Sequence, residues 1–428
     1  MNRAPVRGVA VIGAGVVGVT TAWYLREHGF EVTVYDRLGG PALATSAANA
    51  GVIAPGYVTP WAAPGMPGKL ARSLGQAASP LVFRPSLNPA QWRWIGRWLR
   101  ECDPQRYRRN RERMQRLARY SRDQLHLLRR STGLEDDSSR GYLQLFRSEQ
   151  DVELNAPARR MLDEQGIPYR LLGAAEARAL EPSLRADTPL AGALHLPDDE
   201  SANCQLFTTR LAALCERRGV RFEFGREVAG VRHAHGRATG LLLVRHRIAE
   251  PNTVPFDAVV IASGVHSVPL LARLGIAVPI YPVKGFSATI DLRPGVAGPA
   301  QALMDEAYKT AITPLGRQLR IAGTAEMSGH GMRLRAGALR TLRKVAQDWF
   351  GDRFDLATAR YWVGARPMTP DGPPLLGRTR LAGLYVNIGH GSTGWAMSCG
   401  SARLVSDLLA GESPGIDLDG LTLARLAV

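Results

Sequence analysis

The run "VAVIGAGVVGVTTAWYL", residues 9–25, decides the fold. Its first four residues are the unbroken apolar stretch of a strand buried on both faces. Three glycines follow at the spacing Gly13-x-Gly15-x-x-Gly18, and the apolar pattern then continues as a helix over about residues 16–28, ended by Gly29. "EVTVYD", 31–36, reads as a second strand and completes a strand–turn–helix–strand unit. In this setting each glycine has its own task. Gly13 permits the tight turn, Gly15 lets backbone approach a pyrophosphate, and Gly18 allows close helix–strand packing. The first helical N–H groups, at Val16 and Val17, favour phosphate charge. Asp36 ends the second strand, where a carboxylate accepts hydrogen bonds from a ribose hydroxyl pair, and Arg37 follows it. Arg3 and Arg7 ahead of an apolar run resemble a signal peptide. The glycine spacing, the aromatic pair Trp23–Tyr24 and the want of a small-residue cleavage site argue against that reading.

The chain has 428 residues, room for two or three domains and a large core. With 45% hydrophobic and 21% charged residues it is a soluble globular sequence, neither disordered nor collagen-like. The net charge is +16, and only four of the 54 basic residues are lysines (Lys69, Lys284, Lys309, Lys344). So one arginine alone is weak evidence of anything. The basic balance favours anionic surfaces, and it singles out "PQRYRRNRERMQRLARYSRDQLHLLRR", 104–130, a helix with a broken apolar stripe. That helix is either a solvated face or a candidate contact with an anionic membrane. No basic stripe with interleaved aromatics and no zinc spacing suggests nucleic acid as a partner. The cysteines (Cys102, Cys204, Cys215, Cys399) have neither metal nor redox spacing and read as buried free thiols; no metal site is expected.

Further buried strands lie at "FDAVVIASG", 256–264, and at "GLYVNIGHGSTGW", 383–395, where a glycine loop leads into a helix ended by Gly411. Segments of another character separate them. The expected fold is therefore α/β (α+β overall): a discontinuous Rossmann-type nucleotide domain built from 1–56, 198–280 and 361–428, with a mixed-sheet substrate domain from 57–197 and 281–360.

The fingerprint alone does not separate NAD from FAD. "SAANAG", 46–51, follows the second strand by about ten residues, where small residues would let a flavin ring approach the backbone. Ser46, Asn49, Ala50 and Gly51 supply polar groups for its edge. "GHGSTGW" puts Gly389, His390, Gly391, Ser392, Thr393 and Gly394 before a helix N-terminus, which would stabilise negative charge on a reduced flavin. His390 reads equally as a flavin contact or as a satisfied loop histidine, and it is carried as a candidate catalytic residue.

These strings, together with "LPDDES", "YPVKGFS", "DEAYKTAIT" and "RPMTPDGPPLLGRTR", resemble the D-amino-acid oxidase superfamily of FAD enzymes over essentially the whole chain. The likeness is strongest to its bacterial D-amino-acid dehydrogenases of small-subunit type. The resemblance implies oxidation of a D-amino acid such as D-alanine to a 2-oxo acid and ammonia, with hydride passing from the α-carbon to flavin N5. It further implies a quinone or similar electron acceptor and a peripheral place on the cytoplasmic side of the inner membrane. Val228 matches the strand that contacts adenine, and Ala262, Ser263 and Gly264 match a motif usually written A-T-G. "GARP" matches a G-x-R-P motif whose arginine, here Arg366, grips the substrate carboxylate; "AYKTAIT" points to Tyr308 as its companion, and Lys284 adds positive potential or a structural ion pair. A planar guanidinium holds a carboxylate by two parallel bonds, and a phenol adds a third. An oxygen-using D-amino-acid or glycine oxidase, and a dehydrogenase of a D-imino acid such as D-hydroxyproline, share this fold and clamp.

Overall fold

The computed structural model describes residues 7–68, 81–245 and 248–426. Arg3, Lys69, His246 and residues 69–80 of the Pro- and Gly-rich stretch lie outside the described residues.

The first sheet has six strands in the order Leu375–Arg378, Leu384–Ile388, Ala258–Ile261, Gly8–Ile12, Glu31–Asp36 and Arg221–Phe224. All neighbours run parallel except the first pair. Val9 to Ile12 pair in register with Ala258 to Ile261 on one side and with Val32 to Tyr35 on the other. Those central strands are buried throughout, which explains their unbroken apolar runs. Helices Val16–Glu27, Cys204–Arg217 and Gly394–Ala410 share one core with this sheet. A three-stranded antiparallel sheet, Glu227–Ala234, Arg237–Arg245 and Ile248–Pro255, lies beside it.

The basic segment is the helix Pro104–Thr132, capped by the Asp103 carboxylate and ended by Gly133 at φ +67. Met114, Leu117, Ala118, Leu125 and Leu128 are buried against the nucleotide-side core. A Cβ on Gly400 would stand 2.8 Å from Ser121, so the two helices meet nearly backbone to backbone. Much of its charge is paired locally: Arg113 with Asp419 (2.8 Å), Arg129 with Asp136 (2.7 Å) and Glu200 (2.8 Å), and Arg108 with Glu164 (2.9 Å). No described helix is long and apolar enough to cross a membrane.

The second large sheet is mixed and has ten strands, eight of them in one path. In order these are Arg360–Met368, Tyr281–Asp291, Gln318–Met327, Thr310–Leu315, Ala302–Asp305, Ser139–Phe146, Gly192–Ser201 and Val52–Ile53. One face carries Phe286, Ala288, Ile290, Ile312, Leu319 and Ile321 and is covered by Leu342, Val345 and Trp349 of the helix Ala336–Phe350. The alternate residues Gly285, Ala311, Ala322 and Thr324 face a cavity. The strand carrying Arg366 belongs to this sheet, with Arg366 opposite Val283. The expected division assigned everything from 361 onward to the nucleotide segments, but here the chain crosses between the sheets.

Three cysteines are buried and Cys102 is half-buried, all free. Burial pushes each thiol above its usual range. Cys102, expected in the core, sits at the end of the helix Pro89–Glu101, where the packing thins.

Candidate active site

One cavity of ≈ 1580 Å³ runs from the carboxyl ends of the parallel strands to the inner face of the ten-stranded sheet. That exceeds the roughly 300–1,000 Å³ of a single-ligand site and suits a dinucleotide plus a small substrate. Its place, outside the strand ends of an open parallel sheet, is where such folds bind nucleotides.

At one end stands the glycine turn. Gly13 sits at φ +111, and a Cβ there would lie 2.6 Å from the Ala262 carbonyl oxygen. A Cβ on Gly18 would lie 1.8 Å from the Gly13 oxygen; Gly18 is packing, not cavity wall. The helix Val16–Glu27 begins at Gly15 with no side-chain cap and no acid in its first turn, and Gly15, Val16 and Val17 line the cavity. The Ser46 hydroxyl accepts from the Val16 amide at 3.1 Å. The Asp36 carboxylate accepts from the amides of Ala14 (2.7 Å) and Leu38 (2.9 Å), which fixes it at the strand end with lone pairs to spare. Arg37 lines the same end and meets His266 at 2.8 Å; Val228, Ala262, Ser263 and Gly264 complete it. A dinucleotide fits this cradle, in which two glycines stand where any Cβ would clash and the helix N-terminus has no side-chain cap of its own and no acid in its first turn.

The loop 46–51 bridges the two sheets. Ser287 donates to the Ala48 carbonyl (2.9 Å), Arg320 to that of Asn49 (2.9 Å) and Thr313 to that of Ala50 (2.7 Å). The Asn49 side chain accepts from the Gly51 amide at 2.9 Å, so it shapes the loop, and Gly51 lies at φ +74 against Ala202. Arg320 carries a buried charge behind this loop, and burial pulls it down to about 10. Opposite, Gly389 (φ +78) and Gly391 (φ +57) turn the chain into Gly394–Ala410, whose first residue follows Thr393 with no side-chain cap. Ser392, Thr393 and Gly394 line the cavity with them.

His390 needs correcting as a reactive group. Its ring is buried and its Nε2 meets the Ser401 hydroxyl at 2.9 Å, inside the helix packing. Burial lowers it to about 3, so it stays neutral, and it reaches the cavity only as part of the loop.

Arg366 stands in the cavity wall. Its Nη1 donates to the carbonyls of Thr324 (3.0 Å) and Lys284 (3.4 Å), and its guanidinium lies so close over Gly285 that a Cβ there would be 2.3 Å from Nη2. Trp61 lies 6.0 Å from it. Among the described residues no carboxylate pairs with Arg366, and burial pulls its charge down to about 10. Thr324, beside it, has φ +53, an uncommon conformation for a β-branched residue, and a buried hydroxyl without a partner.

The structure does not bring Tyr308 or Lys284 to Arg366. Tyr308 faces the other side of the sheet, its ring under Arg147 (4.9 Å) and Lys344 (5.6 Å). Lys284 is buried between strands, bonded to Ser328 (2.6 Å) and 3.8 Å from Glu326. Lys284 misses because side chains alternate across its strand and Gly285 takes the cavity position. Tyr308 lies in the turn 306–309 between two strands, where Glu306 and Lys309 reach the cavity instead. The wall holds groups that sequence reasoning missed: Tyr57, Tyr142, Glu306 and Lys309. Lys309 is paired with Glu306. Burial works against its charge, yet Tyr57 and Glu306 outweigh that and hold the ammonium above its usual range. Lys309 ends a turn at φ +47, so no strand period marked it, and nothing local marked Tyr57 or Tyr142.

Away from the cavity, His28, Asp407 and Glu412 form the one metal-capable group among the described residues. Arg403 already holds the same Asp407 oxygen as His28, at 2.8 Å, so the group is an ion-pair network. Behind the cavity wall, Asp199 is buried with one oxygen unpartnered. Burial raises it to about 7. A raised carboxylate stabilises the fold fully below its unfolded pKa, and this contribution is lost as pH rises from about 4 to 7. Asp199→Asn therefore gains on the wild type as pH rises through that window, by at most about 4 kcal/mol. Urea unfolding at pH 5 and pH 8 reads this; a constant difference at the two pH values rules it out.

The glycine-turn nucleotide cradle, closed by a second mixed sheet, defines a two-sheet dinucleotide-binding oxidoreductase. The chain belongs to the family described as FAD dependent oxidoreductase, whose model matches residues 8–408. Its cofactor is FAD. It is 46% identical over 421 residues to a D-amino acid dehydrogenase of Granulibacter bethesdensis, covering 98% of this chain and 99% of that one. It is 47% identical over 421 residues to a D-amino acid dehydrogenase of Cereibacter sphaeroides, covering 98% and 95%. Among solved structures, glycine oxidase from Geobacillus kaustophilus aligns with TM-score 0.73 at 24% identity, over 97% of this chain and 98% of that one. L-proline dehydrogenase from P. horikoshii aligns with TM-score 0.73 at 19% identity over 99% of both. At those identities the structures speak for the fold alone; one is named for an achiral substrate and the other for an L-amino acid.

Proposed function

We propose that the chain oxidises D-amino acids to 2-oxo acids and ammonia and hands the electrons to a quinone-type acceptor. The observation that carries this is Arg366, a half-buried guanidinium on the cavity wall whose hydrogen bonds go only to carbonyl oxygens. A half-buried charge without a counter-ion calls for an anionic ligand, and a carboxylate matches the guanidinium fork. The kinship with proteins named D-amino acid dehydrogenase supplies the hand of the substrate and favours an acceptor other than oxygen. Ser46, Asp36 and the two glycine turns would hold FAD, which when bound accepts the hydride leaving the α-carbon. Arg366 fixes the carboxylate and thereby which face of the α-carbon is presented. The apolar walls at Ala311, Ala322 and Met304 keep water from the reacting carbon. The basic helix Pro104–Thr132 supports contact with an anionic membrane face, where quinone is held.

The test is anaerobic. D-alanine should bleach the flavin while L-alanine does not, and a soluble quinone analogue should restore the colour much faster than oxygen. No bleaching by any D-amino acid defeats the proposal. Fast reoxidation by oxygen with stoichiometric peroxide replaces the dehydrogenase with an oxidase. Failure to sediment with anionic vesicles at low salt removes the membrane contact.

A further inference from the structure

Arg366, Gly285 and Thr324 lie on strands of the ten-stranded sheet, and Glu306 and Lys309 on the turn that joins two of its strands. Arg366 folds over Gly285 to the Thr324 carbonyl. Ala311 pairs with Ala322 and Asp305 with Thr310, so the turn 306–309 joining those strands lies at the same end of the sheet as Thr324, with Lys309 at its near end and Glu306 at its far end. Two strand spacings make on the order of 10 Å between Thr324 and Glu306. A carboxylate seated on Arg366 thus leaves a gap that its own α-amine does not bridge but an extended side chain does. The floor of that gap is Ala311, Ala322 and Met304, suited to methylene groups.

At the far end two polar atoms have no partner. The Tyr142 hydroxyl is fully buried and makes no hydrogen bond, and Glu306 Oε1 is likewise buried and unbonded, while the other carboxylate oxygen is taken by Lys309. Both residues line the cavity, and Tyr57 packs against Tyr142 with ring centroids 5.4 Å apart and tilted by 55°, closing the end. An orphaned buried donor or acceptor costs about 1–3 kcal/mol, so a wall carrying one of each kind is unfavourable unless something fills them. The Glu306–Lys309 pair is neutral as a whole, which disfavours a charged guest.

We propose that Tyr142 and Glu306 form a side-chain subsite for D-amino acids whose side chain ends in a neutral group that both donates and accepts, such as a carboxamide. This rests on the D-amino-acid reading above. A carboxamide N–H donates to Glu306 Oε1 and its carbonyl accepts from the Tyr142 hydroxyl, with the methylenes over Ala311 and Met304.

The experiment compares kcat/KM of the holoenzyme for D-glutamine, D-norleucine and D-alanine by dye-linked assay. Wild type should favour D-glutamine over D-norleucine by about tenfold. Tyr142→Phe removes a hydroxyl that bonds to nothing, so the variant should fold and hold FAD as well as wild type, while the D-glutamine to D-alanine ratio falls about fivefold. Glu306→Gln, which turns the acceptor edge into a mixed one, should lower the same ratio. If D-norleucine outpaces D-glutamine in wild type, or if the ratio is unmoved in Tyr142→Phe, the subsite is overturned. No turnover of any D-amino acid instead sinks the functional reading beneath it.

Discussion

Arg366→Lys will keep its FAD and raise KM for D-amino acids about tenfold or more. The guanidinium spends one edge on the Thr324 and Lys284 carbonyls, at 3.0 and 3.4 Å, and those bonds aim the other edge into the cavity. A lysine ammonium is a point charge on a single stem and cannot serve two carbonyls and both oxygens of a carboxylate at once. The loss of one bidentate, charge-assisted pair is worth about 1.5–3 kcal/mol. Gly285 sharpens the point, since it leaves open the space in which the guanidinium lies. The measurement is KM beside the flavin absorbance per protein. An unchanged KM with full FAD content removes Arg366 from the substrate site, and loss of FAD gives it a structural role instead.

Gly18→Ala will strip the protein of its cofactor. The added methyl would sit 1.8 Å from the Gly13 carbonyl oxygen, and Gly13 cannot yield because it is wedged at φ +111 against Ala262. The helix must move off the turn, whose amides would face the phosphates on the proposed binding mode. Overpacking of this kind costs about 1–3 kcal/mol, and a shift of that size in the cradle weakens FAD binding about ten- to hundredfold. Titration of apoprotein with FAD, followed by flavin fluorescence, gives the number. Gly96→Ala is the control, for its Cβ meets nothing within 4 Å on the helix Pro89–Glu101. Equal FAD affinity in the two variants contradicts the argument.

The nucleotide half of the molecule was readable because its determinants are local. Residues 9–36 form strand, turn, helix and strand within one short span, and each glycine answers to a steric demand of its neighbours. Arg366 was readable only as part of a longer matching string; its charge meant little among so many arginines. The companions chosen for it show where reading stops. Lys284 was one residue out of phase with the cavity face, an error that a period of two makes absolute, and Tyr308 fell in a turn whose side-chain directions no strand pattern sets. Tyr57 and Tyr142 come from a 3-10 turn and a distant strand, and their meeting with Glu306 depends on a sheet order that no window of sequence contains. Thr324 is less legible still, since its φ of +53 is imposed by the strands around it.

The carbonyls of Ala48, Asn49 and Ala50 are held by Ser287, Arg320 and Thr313 of the other sheet. On the proposed binding mode the cofactor would grip a loop whose shape is owned by the substrate half of the molecule. Damage to that half should show first as fading of the yellow colour, before any loss of helix signal, which makes flavin retention a built-in gauge of whether the two sheets are still joined.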